Sequence, residues 1–308
     1  GTLAFSRNSL ESGDVIATTS VDGKAPVRAI TPSAGEMLPE VAWGAYEQFN
    51  FTGWNNETVH GYVVKPWNYE EGTKYPLAFL IHGGPQGSFG NHFHYRWNPQ
   101  TYAGQGYAAV MVDFHGSTGY GQAFTDSISG DWGGKPMEDL QKGLAAALAK
   151  YDFLDGDRVC ALGGSYGGYM ANWIAGNWNE PFRCLVSHSG VFDNRMMAYS
   201  TEELWFDEWE FQGKPWLKPA AYERHNPVNH VGDWRKPILV VHGQLDFRIP
   251  VEQGIAAFTA AQGREVPSQF LYFPDENHWI LKPANSIPWH DTVNAWLKRW
   301  FEAPVESK

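Results

Sequence analysis

The sequence predicts an α/β fold in which a mostly parallel sheet carries helices on both faces. Unbroken apolar runs at 76–81, 107–112 and 237–242 are typical of strands that are covered on both sides. Segments with helical periodicity alternate with these runs, as in 136–151, which begins with a proline and carries one apolar face. Strands that alternate with helices in this way predict parallel pairing, and 308 residues suffice for one large domain of this class.

Residues 1–36 follow a different pattern. Three short β-type runs, at 3–6, 14–21 and 27–31, are separated by turn signals. Three strands with one apolar edge cannot hold together alone. We therefore expect residues 1–36 to be a short all-β remnant of the last blade of a β-propeller, followed by the α/β domain over residues 37–308.

Charge and hydropathy exclude several classes of function. The net charge is −11 and no Lys/Arg-rich run occurs, so we expect no nucleic-acid partner. No apolar stretch approaches the ~18 residues that cross a bilayer, so we expect no membrane partner. No signal peptide is recognisable at residue 1.

The two cysteines, Cys160 and Cys184, each lie in a predicted strand. We favour two buried small residues, and a disulfide is the alternative if the two strands are neighbours. A metal site would need more ligands than these. Sequons at Asn50 and Asn56 are too common by chance to define a compartment. A periplasmic or secreted location is expected, with a cytoplasmic one left open.

The stretch that organises the chain is 159–170, where a short apolar run leads through Gly163-Gly-Ser165-Tyr166-Gly167 into a helix-like segment. A G-x-S-x-G turn between strand and helix is the nucleophile elbow of the α/β-hydrolase fold. The turn is so tight that only small residues fit beside the serine. The Ser165 hydroxyl is expected to stand clear of the sheet, with the Tyr166 amide directed at an oxyanion. The alternative is a Gly-rich β–α turn with an idle serine.

A serine nucleophile needs a base, and the base needs an acid that orients it. In this fold the chain order is serine, acid, histidine, each in a loop at the carboxyl edge of the sheet. Asp246 follows the strand at 237–242 and His278 follows a strand at 269–273. These two residues are the predicted partners of Ser165. Weaker alternatives, at strand ends or in the same loop as His278, are His82, His188, His242 and Asp275.

An oxyanion needs a second amide donor, which this fold takes from the loop after its third strand. His82-Gly83-Gly84-Pro85 lies in that place, and its glycines let the backbone approach closely. We assign the Gly84 N–H as the partner of the Tyr166 N–H, with Gly83 as the alternative.

These segments together resemble the prolyl oligopeptidase family of serine peptidases, in particular its dipeptidyl-peptidase 5 and acylaminoacyl-peptidase branch. The resemblance implies that Ser165 is the nucleophile, Asp246 the orienting acid and His278 the base. It also implies that Phe192 and Ile249 form walls of the pocket for the residue before the scissile bond. The match covers roughly residues 37–303 and rests on 82–85, 116–121, 163–169, 202–211, 246–250 and 276–278.

Two departures from the family pattern stand out. His115 lies where much of the family has arginine. Family members also carry a β-propeller ahead of the hydrolase, which restricts entry to short peptides, whereas only residues 1–36 look like part of one here. The missing propeller domain of the same protein is therefore an expected partner, and a homodimer is left open.

The resemblance implies a serine exopeptidase that releases N-terminal dipeptides from short peptides through an acyl-enzyme, without metal or organic cofactor. The alternatives are an acylaminoacyl-peptidase or a carboxylesterase on the same fold, and, in another class, a catalytically silent binding domain. Recognition of a free amino terminus needs carboxylates. The nearby supply, most of it expected on solvated helix surface, is Glu202, Glu203, Glu208 and Glu210.

Overall fold

A computed structural model describes residues 1–94 and 96–304. The strands are, in chain order, β1 (Thr2–Ser9), β2 (Ser12–Ser20), β3 (Arg28–Ala29), β4 (Tyr46–Thr52), β5 (Thr58–Val64), β6 (Tyr75–Ile81), β7 (Ala108–Asp113), β8 (Leu154–Gly164), β9 (Phe182–His188), β10 (Ile238–Gly243) and β11 (Ser268–Phe273). The α-helices are α1 (Ala34–Met37), α2 (Pro99–Ala103), α3 (Gln122–Asp126), α4 (Lys135–Lys150), α5 (Tyr166–Asn177), α6 (Asn194–Ser200), α7 (Leu204–Glu210), α8 (Pro219–Arg224), α9 (Val251–Gly263) and α10 (Pro283–Phe301). Short 3₁₀ helices lie at Trp54–Asn56 and Pro227–Asp233.

Within the described residues, eight strands form one sheet in the order β11-β10-β9-β8-β6-β7-β5-β4. Pairing is parallel from β11 to β7, and antiparallel where β5 and β4 complete one edge. The carboxyl ends of β8, β10 and β11 therefore meet at a common edge, where ligands bind in sheets of this kind. The predicted mostly parallel α/β sheet is confirmed.

The sheet is buried on both faces, which explains its unbroken apolar strands. On one face Leu140 of α4 and Met170 of α5 belong to a large hydrophobic cluster. On the other face Tyr102 of α2 and Trp296 of α10 belong to a second cluster. No helix in the described ranges combines the length and apolar character that crossing a membrane requires.

The first three strands form a separate antiparallel sheet, β1-β2-β3. It rests on the loop that precedes α2, because Asn8 Oδ1 accepts a hydrogen bond from the Phe93 amide at 2.6 Å and Asn91 Oδ1 accepts one from the Leu10 amide at 2.9 Å. Leu10 is buried in the second cluster. The origin of this sheet in a propeller blade stays a prediction.

The favoured interpretation of the cysteines was wrong. Strands β8 and β9 are parallel neighbours, and their register places Cys160 opposite Cys184 with the two Cα atoms 4.8 Å apart. The two residues form a disulfide. Apolar runs identify the strands but do not specify which strands pair or in which register, so the sequence left both arrangements open.

Candidate active site

Ser165 lies between β8 and α5 with φ 59° and ψ −120°. A non-glycine residue with positive φ is strained, and such strain persists only where the surroundings enforce it. Here the neighbours are glycines for steric reasons. A Cβ atom on Gly167 would clash with the carbonyl oxygen of Ile81, and one on Gly163 would clash with the Gly167 backbone. The predicted elbow geometry is therefore present.

Backbone hydrogen bonds hold the elbow against the next strand. The Ser165 amide donates to the His188 carbonyl at the end of β9 at 2.9 Å, and the Tyr169 amide donates to the Ser165 carbonyl at 2.9 Å. The Tyr166 side chain is anchored away from the turn, because its hydroxyl donates to the Trp132 carbonyl at 2.6 Å. Within the described residues the Ser165 hydroxyl makes no hydrogen bond.

Asp246 and His278 meet at the same edge of the sheet. Nδ1 of His278 lies 2.7 Å from Oδ2 of Asp246, and both side chains are buried. The other carboxylate oxygen accepts hydrogen bonds from the amides of Arg248 at 3.1 Å and Ile249 at 2.9 Å. These bonds fix the plane of the carboxylate and hence the orientation of the imidazole.

Asp246 is ionised throughout the neutral range. Burial alone would raise the pKa of its carboxyl, but hydrogen bonds with His242 and His278 outweigh burial and hold the pKa well below its ordinary value. His242 is the second imidazole beside it, with Nε2 at 3.5 Å from Oδ2. That same nitrogen is 2.7 Å from the Ile249 carbonyl oxygen, so His242 braces the loop instead of facing the serine.

Ser165 and His278 line one cavity of about 470 Å³. Gly83, Gly84 and Trp279, the residue after His278, also line this cavity. The structure therefore places the Asp246 carboxylate against the His278 imidazole and lines one cavity with His278 and Ser165. That the three residues act as a catalytic triad stays a prediction.

The loop after β6 packs directly on the elbow. A Cβ atom on Gly83 would lie 2.8 Å from the Gly164 carbonyl oxygen and 3.1 Å from the Ser165 Cβ. His82 fixes the base of this loop, because its ring stacks on Phe114 and its Nε2 lies 2.7 Å from the Ser117 hydroxyl. Among the described residues no protein acceptor pairs with the Gly84 or Tyr166 amide. Both stay available for an oxyanion, and their assignment stays a prediction.

The two residues assigned to the substrate pocket lie elsewhere. Phe192 is buried in the core, where its ring packs on Trp234 and its amide donates to Gln253 Oε1. Ile249 is a buried residue of the Asp246 loop, and its amide donates to the Asp246 carboxylate. Neither lines the cavity in the described part of the chain, where Trp205 and Phe206 of α7 supply the apolar wall. A pocket role for the pair stays a prediction that this geometry does not support.

The four candidate carboxylates divide into two kinds. Glu202 and Glu208 are exposed, and of the two only Glu208 lies on a helix, α7. Glu210 is buried and accepts hydrogen bonds from Trp132 Nε1 and Gln86 Nε2, each at 2.7 Å. Glu203, by contrast, lines the cavity.

The Glu203 carboxylate lies 3.0 Å from Nε of Arg248, a second residue of the cavity wall. The N–H of that nitrogen is not directed at the carboxylate, so the contact is an ion pair without an aligned hydrogen bond. The surrounding segment is tied to the triad loop, because Thr201 Oγ1 donates to the Arg248 carbonyl and accepts from the Glu203 amide. Glu203 is therefore held in place relative to Asp246.

His115 has a structural role outside the cavity. Its Nδ1 lies 2.5 Å from Oδ2 of buried Asp139, and its Nε2 lies 3.3 Å from Oε2 of Glu57. Burial would lower the pKa of the imidazole, but these two carboxylates outweigh burial and raise it. A buried ion pair thus stands where much of the family has arginine.

Sequence reasoning missed part of the cavity wall. Arg96 and Trp97, from the loop before α2, line the cavity beside His188, which the sequence offered only as a weaker base. No sequence pattern identifies Arg96 and Trp97, because their position in the cavity wall depends on contacts with residues about 180 positions away. One such contact is the hydrogen bond from Arg96 to the His278 carbonyl. In the described ranges no three His, Cys, Asp or Glu side chains are grouped as a metal site requires.

Comparisons with known proteins agree with this architecture. The sequence model of the prolyl oligopeptidase family matches residues 93–304. Dipeptidyl-peptidase 5 of Schizosaccharomyces pombe is 46% identical over 254 residues, which are 82% of this chain and 37% of that protein. A probable dipeptidyl-peptidase 5 of Emericella nidulans is 41% identical over 307 residues, which are 97% of this chain and 42% of that protein. The chain thus spans about two fifths of the length of these curated relatives.

Among solved structures, the acylaminoacyl peptidase of Pyrococcus horikoshii superposes on the whole chain with a TM-score of 0.89 at 22% identity. The match covers 49% of that protein. At this identity the likeness shows the fold, which is the α/β-hydrolase fold that the elbow predicts.

Proposed function

The chain belongs to the prolyl oligopeptidase family of serine peptidases, and we propose that it is the catalytic part of an exopeptidase that releases dipeptides from the N-termini of short peptides. The observation that carries this proposal is the Asp246–His278 pair, 2.7 Å apart, whose imidazole shares a cavity with the strained Ser165. A carboxylate, an imidazole and a hydroxyl in this order form the machinery of acyl transfer.

In the proposed reaction Ser165 Oγ attacks the carbonyl carbon of the second peptide bond while His278 Nε2 takes its proton. The oxyanion receives hydrogen bonds from the Gly84 and Tyr166 amides. His278 then gives the proton to the leaving amine. Water next attacks the carbonyl of the acyl-enzyme while His278 takes its proton, and His278 returns that proton to Ser165 Oγ as the dipeptide leaves. Asp246 stays ionised and stabilises the imidazolium that forms in each step.

Release of dipeptides requires a group that binds the free amino terminus at a fixed distance from the scissile bond. Glu203 suits this role, because its carboxylate lies in the cavity wall and, within the described residues, accepts no hydrogen bond. An ionised carboxylate has room for about four hydrogen bonds. The ammonium group of a substrate carries a positive charge and three hydrogen-bond donors. These donors match the acceptor positions of the Glu203 carboxylate that Arg248 does not fill.

The relatives are longer than this chain, and we propose that the remainder of the protein includes a β-propeller that limits access to short peptides. The separate β1-β2-β3 sheet supports this, since β1 has no buried residue and β3 consists of two exposed residues, so the sheet presents surface that further strands would cover. We also propose a periplasmic or secreted location. The Cys160–Cys184 disulfide supports it, because disulfides persist in oxidising compartments.

The test is a panel of free and N-acylated dipeptidyl amides and N-acyl-aminoacyl amides, assayed on the intact protein that carries this chain. The proposal predicts cleavage of the free dipeptidyl amides and a loss of roughly 10²-fold or more in kcat/KM on N-acylation. Glu203→Gln should remove most of that preference. Glu208→Gln is the matched control, since Glu208 lies on α7, the helix that begins directly after Glu203, but is exposed and paired with Lys214.

Other outcomes identify the rivals. Preference for N-acyl-aminoacyl amides would indicate an acylaminoacyl-peptidase. Faster cleavage of simple acyl esters than of any amide would indicate a carboxylesterase. An unreactive Ser165 would indicate a silent binding domain.

A further inference from the structure

Glu210 is a buried carboxylate at the end of α7 that no step of the proposed reaction uses. Its Oε2 accepts a hydrogen bond from Trp132 Nε1 and its Oε1 accepts one from Gln86 Nε2, each at 2.7 Å. Ser129 Oγ donates a longer bond, of 3.4 Å, to Oε1. Taking a carboxylate out of water is costly unless hydrogen bonds replace its hydration, and these donors do so. Glu210 is therefore fixed by the residues that it binds.

The first partner, Gln86, belongs to the turn that carries one of the two assigned oxyanion donors. Gln86 follows Gly84 by two residues, and both line the active-site cavity. The turn is tight, because a Cβ atom on Gly84 would lie 2.5 Å from the Gln86 amide nitrogen. Pro85, which joins the two residues, is buried, and its ring fixes its φ. A shift of Gln86 would therefore move the Gly84 amide as well.

The second partner, Trp132, holds the residue that carries the other assigned donor. The Trp132 carbonyl oxygen accepts a hydrogen bond from the Tyr166 hydroxyl at 2.6 Å. The two rings also pack edge to face, with their centroids 5.4 Å apart, and both side chains are buried. The place of Tyr166 at the start of α5 therefore depends on the place of Trp132.

Other hydrogen bonds of the turn lead to a different part of the chain. The Gly87 carbonyl accepts from the Thr118 amide at 2.8 Å, and the Phe89 amide donates to Asp113 Oδ1 at 3.0 Å. These bonds tie the turn to the end of β7 and to the loop that follows it. The Glu210 carboxylate adds a hydrogen-bonded connection between the two segments that carry the oxyanion donors.

We propose that Glu210 is a positioning residue for the oxyanion site. By binding Gln86 with one oxygen and Trp132 with the other, it fixes the separation of the Gly84 and Tyr166 amides. Two amides stabilise an oxyanion strongly only if both are held at hydrogen-bond distance before the reaction begins. In this role Glu210 acts through its partners and does not touch the substrate. The inference rests on the proposed function, in which these two amides bind the oxyanion.

The first test is Gln86→Met in the intact protein. Gln86 is partly exposed, so the replacement removes the bond to Glu210 without opening the core. We expect kcat for a free dipeptidyl amide to fall by about tenfold to a hundredfold, less than the loss of a whole donor, with KM within about twofold. Gln141→Met, on the exposed face of α4, is the control and should leave both constants unchanged.

For each variant kcat is calculated per Ser165 that reacts with a fluorophosphonate at completion, which excludes unfolded protein. A normal kcat in Gln86→Met would overturn the proposal. A loss confined to KM would overturn it as well, because Gln86 would then bind the substrate directly.

Variants of Glu210 test the other end of the bond. In Glu210→Gln the carboxamide oxygen can still accept from Trp132, and its NH₂ group can donate to Gln86 once the Gln86 amide turns round, so kcat should stay near normal. Glu210→Leu makes neither bond and should lose at least as much kcat as Gln86→Met. Adding Gln86→Met to Glu210→Leu should then cost nothing further. Full additivity of the two losses would contradict the claim that Gln86 acts through Glu210.

An inhibitor separates oxyanion binding from substrate binding. A dipeptidyl aldehyde forms an adduct with Ser165 that places an oxygen in the oxyanion site, so its affinity should fall in Gln86→Met by the same factor as kcat/KM. The affinity of Ser165→Ala protein for the peptide substrate, measured by calorimetry, should be the same with and without Gln86→Met. Equal losses of affinity for the aldehyde and the substrate would overturn the proposal.

These results can be told apart from a failure of the proposed function. If the intact protein releases no dipeptide from any substrate, the proposed function fails. The same comparison of kcat between variants, made with a nitrophenyl acyl ester, would still decide the role of Glu210, because ester hydrolysis also passes through an oxyanion.

Discussion

Oδ2 of Asp246 lies 2.7 Å from Nδ1 of His278, although 32 positions separate the two residues in the chain. They meet because β10 and β11 are parallel neighbours, so the loops that follow them leave the same edge of the sheet. The carboxylate holds the proton on Nδ1, which leaves Nε2 as the basic nitrogen facing the cavity.

Replacement of this carboxylate should therefore lower kcat strongly without unfolding the protein. We expect Asp246→Asn to lower kcat by about 10⁴-fold, because a carboxamide no longer fixes the tautomer or stabilises the imidazolium. Asp275→Asn is the matched control. Asp275 lies three residues from His278 but is exposed and paired with Lys282, so kcat should stay within about twofold. Equal losses in the two variants would contradict the assignment.

The close approach of the loop after β6 can be tested at Gly83. A methyl group there would lie 2.8 Å from the Gly164 carbonyl oxygen, so Gly83→Ala should push the loop and its amides away from the oxyanion. We expect kcat to fall by about 10²–10³-fold with a smaller change in KM. Gly263→Ala, where a Cβ atom meets nothing within 4 Å, should leave kcat unchanged. A normal kcat in Gly83→Ala would exclude this loop from the oxyanion site.

The disulfide should contribute to stability and not to catalysis. Cys160 and Cys184 are 24 residues apart, and a cross-link over a loop of that size stabilises by about 3 kcal/mol. We expect the Cys160→Ala/Cys184→Ala double variant to unfold at a lower urea concentration by about that free energy, with kcat/KM unchanged. Reduction of the native protein should give the same shift. Unchanged stability in both experiments would show that the bond is absent.

Asp207 should make stability depend on pH. It is buried with both carboxylate oxygens unpaired among the described residues. Burial, followed by the charges of Glu203 and Glu210, raises its pKa to about 7. The folded protein thus keeps a proton that the unfolded chain releases above about pH 4.

The free energy of unfolding should therefore fall as the pH rises from about 4 to about 7, since the unfolded state binds fewer protons in that window. We expect Asp207→Asn to reduce this decline by about 2–4 kcal/mol in urea titrations at several pH values. A decline of the same size in the variant and the native protein would assign the pH dependence to another group.

Much of the site could be predicted because local patterns specify it. The glycines around Ser165 and the strand ends before Asp246 and His278 place these residues at one edge of a parallel sheet without knowledge of the packing. The Cys160–Cys184 bond could not be predicted in this way, because it depends on strand register. The same limit applies to Arg96, which reaches the cavity only through contacts with a distant loop.

Local pattern was also a weak guide to helix ends. In the sequence only residues 289–301 show an apolar helical face, whereas helix α10 begins at Pro283, because its first turns are largely exposed and carry little periodicity. Between β9 and β10 the chain forms three short α-helices, α6, α7 and α8, and a 3₁₀ helix, whereas the sequence shows one helix-like stretch there, at 202–211. Helices of two turns or fewer owe their stability to tertiary packing, which cannot be deduced from a short stretch of sequence.

The central claim is that Ser165 is a nucleophile activated by His278, and covalent labelling tests it most directly. The intact protein is treated with a fluorophosphonate and the adduct is located by peptide mass spectrometry. We predict one adduct, on Ser165, which is lost in Ser165→Ala and formed at least about 10³-fold more slowly in His278→Ala. An unlabelled Ser165 in protein that releases dipeptides, or dipeptide release that survives in Ser165→Ala, would contradict the claim.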